Sequence, residues 1–111
     1  MQLKAAMNGT TLVIRVAEDR IDAAGAIQFK ERMRDLIQTP CERVILDLSP
    51  VHFLDSSGLG AVVAVMKLLA PDRKLELSGL TPTVEKVFRL TRMDSVFTIH
   101  PALAEGLRNA G

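Results

Sequence analysis

Hydrophobic and polar residues along the chain follow two periods, and the switches between them mark out its elements. In Thr11-Leu12-Val13-Ile14-Arg15-Val16, Leu12, Ile14 and Val16 alternate with Thr11, Val13 and Arg15, the two-residue period of a half-buried strand. Asn8-Gly9 in front of it is a hairpin turn signal, so Leu3 to Met7 is expected to pair back onto it. From Ala26 the period lengthens. Ala26, Phe29, Met33, Leu36 and Ile37 fall three or four apart, with Lys30, Glu31, Arg34 and Asp35 opposite them. This predicts an amphipathic helix, capped by Asp22 or a neighbour and closed before Pro40.

Arg43-Val44-Ile45-Leu46-Asp47-Leu48 is nearly continuous aliphatic sequence, the signature of a strand covered on both faces, and Ser49-Pro50 stops it. After Val51 to Asp55, a helical pattern that is apolar on most sides runs from Ser57 to Leu69 and ends at Pro71-Asp72. Lys74 to Ser78 alternates as another strand. Thr81-Pro82 reads as an N-cap with proline at the first helical position, and Val84, Val87, Phe88 and Thr91 share one face of the helix that follows. Glu85 and Arg89 on it are spaced as an i,i+4 pair. Val96 to Ile99 reads as a short strand, and Pro101 as the start of a last helix with Leu103 and Leu107 inward. Strands alternating with helices after a hairpin predict one α/β domain over residues 1–111. Its mixed sheet has about five strands with an N-terminal antiparallel hairpin, and there are about four helices.

Composition narrows the function by exclusion. The 111 residues suffice for one core, and 14 basic against 13 acidic residues leave a formal charge of +1. That balance gives no general attraction to nucleic acid or to an anionic membrane. Aromatic content is 4%, all of it Phe, so the stacking platforms of single-strand binders are missing. Neither class of partner is expected. The one cysteine, Cys41, cannot form an internal disulfide; no signal-peptide core opens the chain and no apolar run would span a bilayer. A cytoplasmic location is expected.

Catalytic chemistry finds no motif. His52 and His100 have no Cys or His at zinc-ligand spacing, so no metal is expected; His52 reads as a loop residue after a strand and His100 as a cap before Pro101. Cys41, after Pro40, reads as an inert loop thiol. Ser57-Gly58-Leu59-Gly60 lacks the third glycine of a dinucleotide loop and the Gly-Lys-Ser/Thr of a phosphate loop. Leu54-Asp55-Ser56-Ser57-Gly58 fails the hydrolase elbow at its first glycine. No catalytic residue and no cofactor are assigned, and the chain is not read as an enzyme.

The informative segment is Asp55-Ser56-Ser57-Gly58-Leu59-Gly60, between a buried strand and a helix start. Asp and Ser are favoured caps, and the glycines allow close packing; that reading needs no further function. The same geometry places a hydroxyl near free N–H groups and the positive end of the helix dipole, where a phosphate would be tolerated. The following helix carries Leu59, Val62, Val63, Met66, Leu69 and Ala70, more apolar positions than one buried stripe requires. They are either covered within the domain or offered to a partner.

The run from Val44 to Gly60, Val-Ile-Leu-Asp-Leu-Ser-Pro-Val-His-Phe-Leu-Asp-Ser-Ser-Gly-Leu-Gly, resembles the central motif of STAS domains, in particular the stand-alone bacterial anti-sigma factor antagonists. The likeness continues through Leu75 to Leu90, and Arg20-Ile21-Asp22 falls where the family usually has Gly-Glu-Leu/Ile-Asp. The resemblance implies binding to an anti-sigma factor that is also a serine kinase, with release of a sigma factor. The kinase would phosphorylate Ser56, which aligns with the first serine of the pair, and break the complex; a serine phosphatase would restore it. Ser57 would be the neighbouring cap or shape residue, and Asp22 and Asp55 would line the hydroxyl's surroundings. The partner surface implied comprises Asp22, Asp55, Ser57, Gly58, Leu59, Val62, Val63 and Met66.

Three departures stand out. Arg20 replaces the usual glutamate, after a loop lengthened by Glu18-Asp19; Arg92-Met93 replaces Gly-Leu; and Pro71-Asp72 replaces a glycine-rich turn. The alternative within the family is a STAS subunit held permanently in a transport or sensory assembly, with Ser56 only a cap. A small hydrolase is disfavoured because no histidine stands at a plausible partner position.

Overall fold

In the computed structural model, which describes residues 1–108, the opening hairpin forms as expected. β1 (Leu3–Asn8) pairs antiparallel with β2 (Thr11–Val16). Asn8 ends the strand, and Gly9, at φ 62°, takes the first place in the two-residue loop, where a residue with a Cβ would be strained. The chain continues through β3 (Arg20–Ile21), α1 (Ala23–Leu36), β4 (Arg43–Asp47), β5 (Phe53–Leu54), α2 (Ser56–Leu69), β6 (Leu75–Ser78), α3 (Pro82–Leu90), a 3₁₀ turn (Met93–Ser95), β7 (Thr98–His100) and α4 (Leu103–Arg108). The main sheet has the order β1-β2-β4-β6-β7, parallel except for the hairpin. β3 and β5 form a separate two-stranded parallel sheet that periodicity did not reveal, because two residues are too few to show a period.

The two faces of the main sheet differ in chemistry. Leu12, Ile14 and Val16 of β2, Val44 and Leu46 of β4, and Leu75 and Leu77 of β6 join Phe29 and Met33 of α1, Val62, Val65 and Leu69 of α2 and Phe88 of α3 in one core. The helical faces read from Ala26, Phe29 and Met33 and from Val84 and Phe88 are the buried ones. On the opposite face the alternate residues are Arg43, Ile45 and Asp47 of β4 and Glu76 and Ser78 of β6. The short α4 packs over part of them. Gly106 permits that contact: a Cβ there would lie 2.9 Å from His100 Cδ2 and 3.4 Å from Ile45 Cδ1.

Polar residues that alternation assigns to solvent are therefore enclosed, and all four residues of β6 are buried. Glu76 receives Arg43 Nε at 2.9 Å and Nη2 at 2.6 Å, and its Oε1 lies 2.8 Å from His100 Nε2. Arg43 Nη2 also donates to the Gly106 carbonyl at 2.9 Å, tying α4 to the sheet. His100 is thus no cap before Pro101; its ring is buried in this cluster. Ser78 Oγ is buried without a hydrogen-bond partner among the described residues.

The remaining differences lie at the C-terminal end. The last strand is Thr98–His100, shifted from the expected Val96–Ile99, because Phe97 turns inward against Phe88 with ring centroids 5.7 Å apart. The last helix begins at Leu103, beyond Pro101, and its buried residue is Gly106, with Leu103 and Leu107 half-buried. Arg92 occupies the left-handed region at φ 61°.

Two outcomes follow from these contacts. Burial pushes the Glu76 carboxyl up, but hydrogen bonds from Arg43 and His100 outweigh it and hold the group below the usual carboxylate range. A carboxylate depressed on folding stabilises above its unfolded pKa, and that contribution is lost as pH falls through the folded value. Glu76→Gln should therefore cost about 1–3 kcal/mol at pH 7, and its difference from wild type should shrink as pH is lowered below the ordinary Glu range, measured by urea unfolding. Arg92→Gly should raise stability by about 0.5–1 kcal/mol, the relief of left-handed backbone less the added chain entropy, read as an increase in Tm.

Candidate functional site

The small sheet sets the geometry of the candidate site. β3 and β5 run parallel with Arg20 beside Phe53 and Ile21 beside Leu54. The next residue in each strand, Asp22 and Asp55, is the N-cap of the helix that follows. Asp22 Oδ1 accepts the Gly25 N–H at 3.1 Å, and Asp55 Oδ1 accepts the Gly58 N–H at 2.9 Å. Two helices consequently start side by side from matched segments, Ile21-Asp22-Ala23-Ala24-Gly25 and Leu54-Asp55-Ser56-Ser57-Gly58. Where α1 has two alanines, α2 has two serines. The shared aliphatic-Asp-x-x-Gly pattern was visible in the sequence, but only strand pairing shows that its two copies meet.

Gly58 is required by the closeness of this arrangement. A Cβ on it would overlap the Ile21 carbonyl oxygen. The loop before β3 clamps the small sheet from its other end. There the Asp19 carbonyl accepts N–H groups from His52 at 2.8 Å and Phe53 at 3.2 Å, holding β5 against β3. Arg20, which stands where the resemblance implies glutamate, lies over the Phe53 ring with its guanidinium carbon 5.6 Å from the centroid. Phe53 is exposed beside the helix starts. The sequence gives no signal for this pair, because Arg20 and Phe53 meet only through the pairing of β3 with β5.

The expected site residues separate into four groups. Ser56 and Ser57 are exposed at the first two positions of α2, and neither hydroxyl makes a hydrogen bond among the described residues. Asp55 performs the capping, so the serine hydroxyls are not needed for it. Asp22 and Asp55 flank them, half-buried by their own cap bonds. Along α2, Leu59, Val63 and Met66 are half-buried and fall on one stripe, while Ala70, just beyond the helix, is exposed. Of the partner surface that the resemblance implies, Val62 is 0% exposed and Gly58 is packed on β3, so in this structure both support the surface from beneath. Leu69 is buried for the same reason.

Among the described residues no group of three or more His, Cys, Asp or Glu is placed to hold a metal, and no helix is long and apolar enough to cross a membrane.

Comparison with known proteins agrees with this architecture. The family described as STAS domain matches residues 2–106. The anti-sigma F factor antagonist of Paenibacillus polymyxa is 27% identical over 103 residues, covering 91% of this chain and 85% of the relative. The fold is similar to an anti-sigma factor antagonist from Mycobacterium paratuberculosis, with a TM-score of 0.86 at 23% identity over 96% of this chain and 90% of that one. It is also similar to the phosphorylated form of the Bacillus cell fate determinant SpoIIAA, with a TM-score of 0.67 at 23% identity over 96% of each chain.

The geometry predicts a graded series. Gly58→Ala should cost more than about 3 kcal/mol or prevent folding, since backbone must move to admit the methyl. Asp55→Ala should cost about 1 kcal/mol through loss of the cap, and Ser56→Ala should stay within about 0.5 kcal/mol of wild type. Thermal unfolding of the three variants checks the order.

Proposed function

The chain belongs to the STAS domain family, and we propose that it works there as an anti-sigma factor antagonist switched by phosphorylation of Ser56. Unphosphorylated, the start of α2 with the stripe Leu59, Val63 and Met66, bordered by Asp22, Asp55 and Ser57, binds an anti-sigma factor that is also a serine kinase. Capture of that factor frees a sigma factor. The kinase transfers the γ-phosphoryl of ATP to the Ser56 oxygen, giving phosphoserine, ADP and the displaced proton. A serine phosphatase hydrolyses the ester and restores binding.

The observation that carries this reading is the division of labour at the helix start. Ser56 is exposed and free, while Asp55 caps α2. A phosphate of about −1.5 to −2 charges can therefore be added without removing a structural contact, and the adjacent helix starts favour negative charge. The same charge lands beside the Asp22 and Asp55 carboxylates, building a local negative patch on a chain of formal charge +1. A partner that matched the neutral hydroxyl meets a bulky dianion instead. The names of relatives support the same direction: one is an anti-sigma factor antagonist and another is known in a phosphorylated form. A permanent interface in a transport or sensory assembly would use the α2 stripe without the hydroxyl.

Incubation with an anti-sigma factor kinase and ATP is expected to add one phosphate, which peptide mass mapping places on Ser56 and which Ser56→Ala abolishes. Ser56→Asp should weaken kinase binding by about tenfold or more, a like-charge and desolvation effect, with unchanged Tm. Equal binding of the wild-type, phosphorylated and Ser56→Asp proteins would favour the permanent interface instead.

A further inference from the structure

We propose that the free edge of β1 pairs with the same edge of a second copy of this chain, joining two five-stranded sheets across a two-fold axis. β1 is the outer strand on one side and is six residues long, whereas β7 on the other side has three. Lys4 through Asn8 are exposed. Edge strands are ordinarily guarded by proline, a bulge or several charges; Leu3–Asn8 has an unbroken register with β2 and one charge, Lys4. Met1 does not cover this edge: it is turned onto α1, its nitrogen donating to Gln28 Oε1 at 2.8 Å and its carbonyl accepting from Arg32 at 3.4 Å.

Hairpin geometry decides which groups are free. The two-residue loop closes on the Asn8–Thr11 pair, and the Ala17 N–H donates to the Gln2 carbonyl at 2.9 Å. Residues 2, 4, 6 and 8 therefore turn their N–H and C=O groups towards β2, and Leu3, Ala5 and Met7 turn theirs outward. A two-fold axis perpendicular to the sheet keeps each face on its own side and sets the two copies of β1 antiparallel.

Centred on Ala5, this pairing places Ala5 opposite Ala5 and Leu3 opposite Met7 of the second copy, with two backbone hydrogen bonds for each of three facing pairs. Leu3, Ala5 and Met7 then form one apolar row, in which Met7, now 44% exposed, gains cover. Lys4 faces Ala6. Centring on Lys4 would set two ammonium groups face to face, and centring there or on Ala6 would leave only two bonded pairs. A self-complementary register that also keeps the two Lys4 side chains apart thus selects a second copy as the occupant. Because the strands pair antiparallel, the two Ser56-bearing ends point in opposite directions, so the pairing is independent of the proposed switch.

Sedimentation equilibrium from about 10 μM to about 1 mM tests the proposal. Wild type should pass from monomer to dimer in this range, and amide exchange at Leu3, Ala5 and Met7 should slow with concentration. Ala5→Lys and Ala5→Glu should each remain monomeric, since like charges then face across the axis, and an equimolar mixture of the two should recover the dimer. A wild-type protein that stays monomeric throughout, with concentration-independent exchange at those amides, overturns the proposal. So does association that either variant leaves unchanged, or a mixture that fails to dimerise.

Discussion

The close approach of α2 to β3 at Gly58 and Ile21 governs the end of the molecule that carries Ser56. It requires a residue without a Cβ at the third position of α2, and it brings β3 and β5 into register. Asp22 and Asp55 consequently stand at one level, and two helix N-termini face the same region of surface. The serine pair inherits its exposure from this arrangement. Each cap is a carboxylate tied to a glycine N–H, so the two hydroxyls are displayed by the scaffold without being part of it. A site that must accept and lose a large charge is best built from atoms on which no packing depends, and the N-terminal turn of α2 meets that requirement.

The rest of the fold holds this end rigid through two chemically distinct layers. Between the main sheet and α1, α2 and α3 the contacts are aliphatic and aromatic. On the other face, Arg43, Glu76 and His100 form a hydrogen-bonded cluster that anchors α4 through the Gly106 carbonyl. Such a cluster adds little net stability over a well-packed apolar substitute but penalises loss of either partner, so it fixes geometry more than it adds energy. Its position on the sheet face away from α1, α2 and α3 separates it from the start of α2 that carries Ser56.

Much of this was legible in the chain because period and punctuation agree. The hairpin, the parallel strands and the four helices follow from alternation, from three-to-four spacing and from Pro40, Pro50, Pro71 and Pro82 as breakers or starters. Cap identity is half legible: Asp22 stands out before α1, whereas Asp55, Ser56 and Ser57 are all good caps, and only the folded helix start decides for Asp55. What the pattern concealed was tertiary. Glu76 and Ser78 alternate as though one face of β6 met solvent, yet both are buried on the face where α4 packs from a distant part of the chain. Val62 and Val63 are equivalent in hydropathy, and only the rotation of α2 on the sheet sends one inward and leaves the other half-exposed. The small β3–β5 sheet had no period to display, and with it went the Arg20–Phe53 contact.

The central claim is that the Ser56 hydroxyl can change charge without disturbing the scaffold that presents it. Backbone amide NMR of the labelled protein before and after phosphorylation by an anti-sigma factor kinase tests this most directly. The predicted result is a set of shift changes confined to Asp22–Gly25 and Asp55–Leu59, with the Gly58 amide still protected by its bond to Asp55. Loss of that protection, shift changes spread through β4 and β6, or a phosphate located away from the start of α2 would contradict the account.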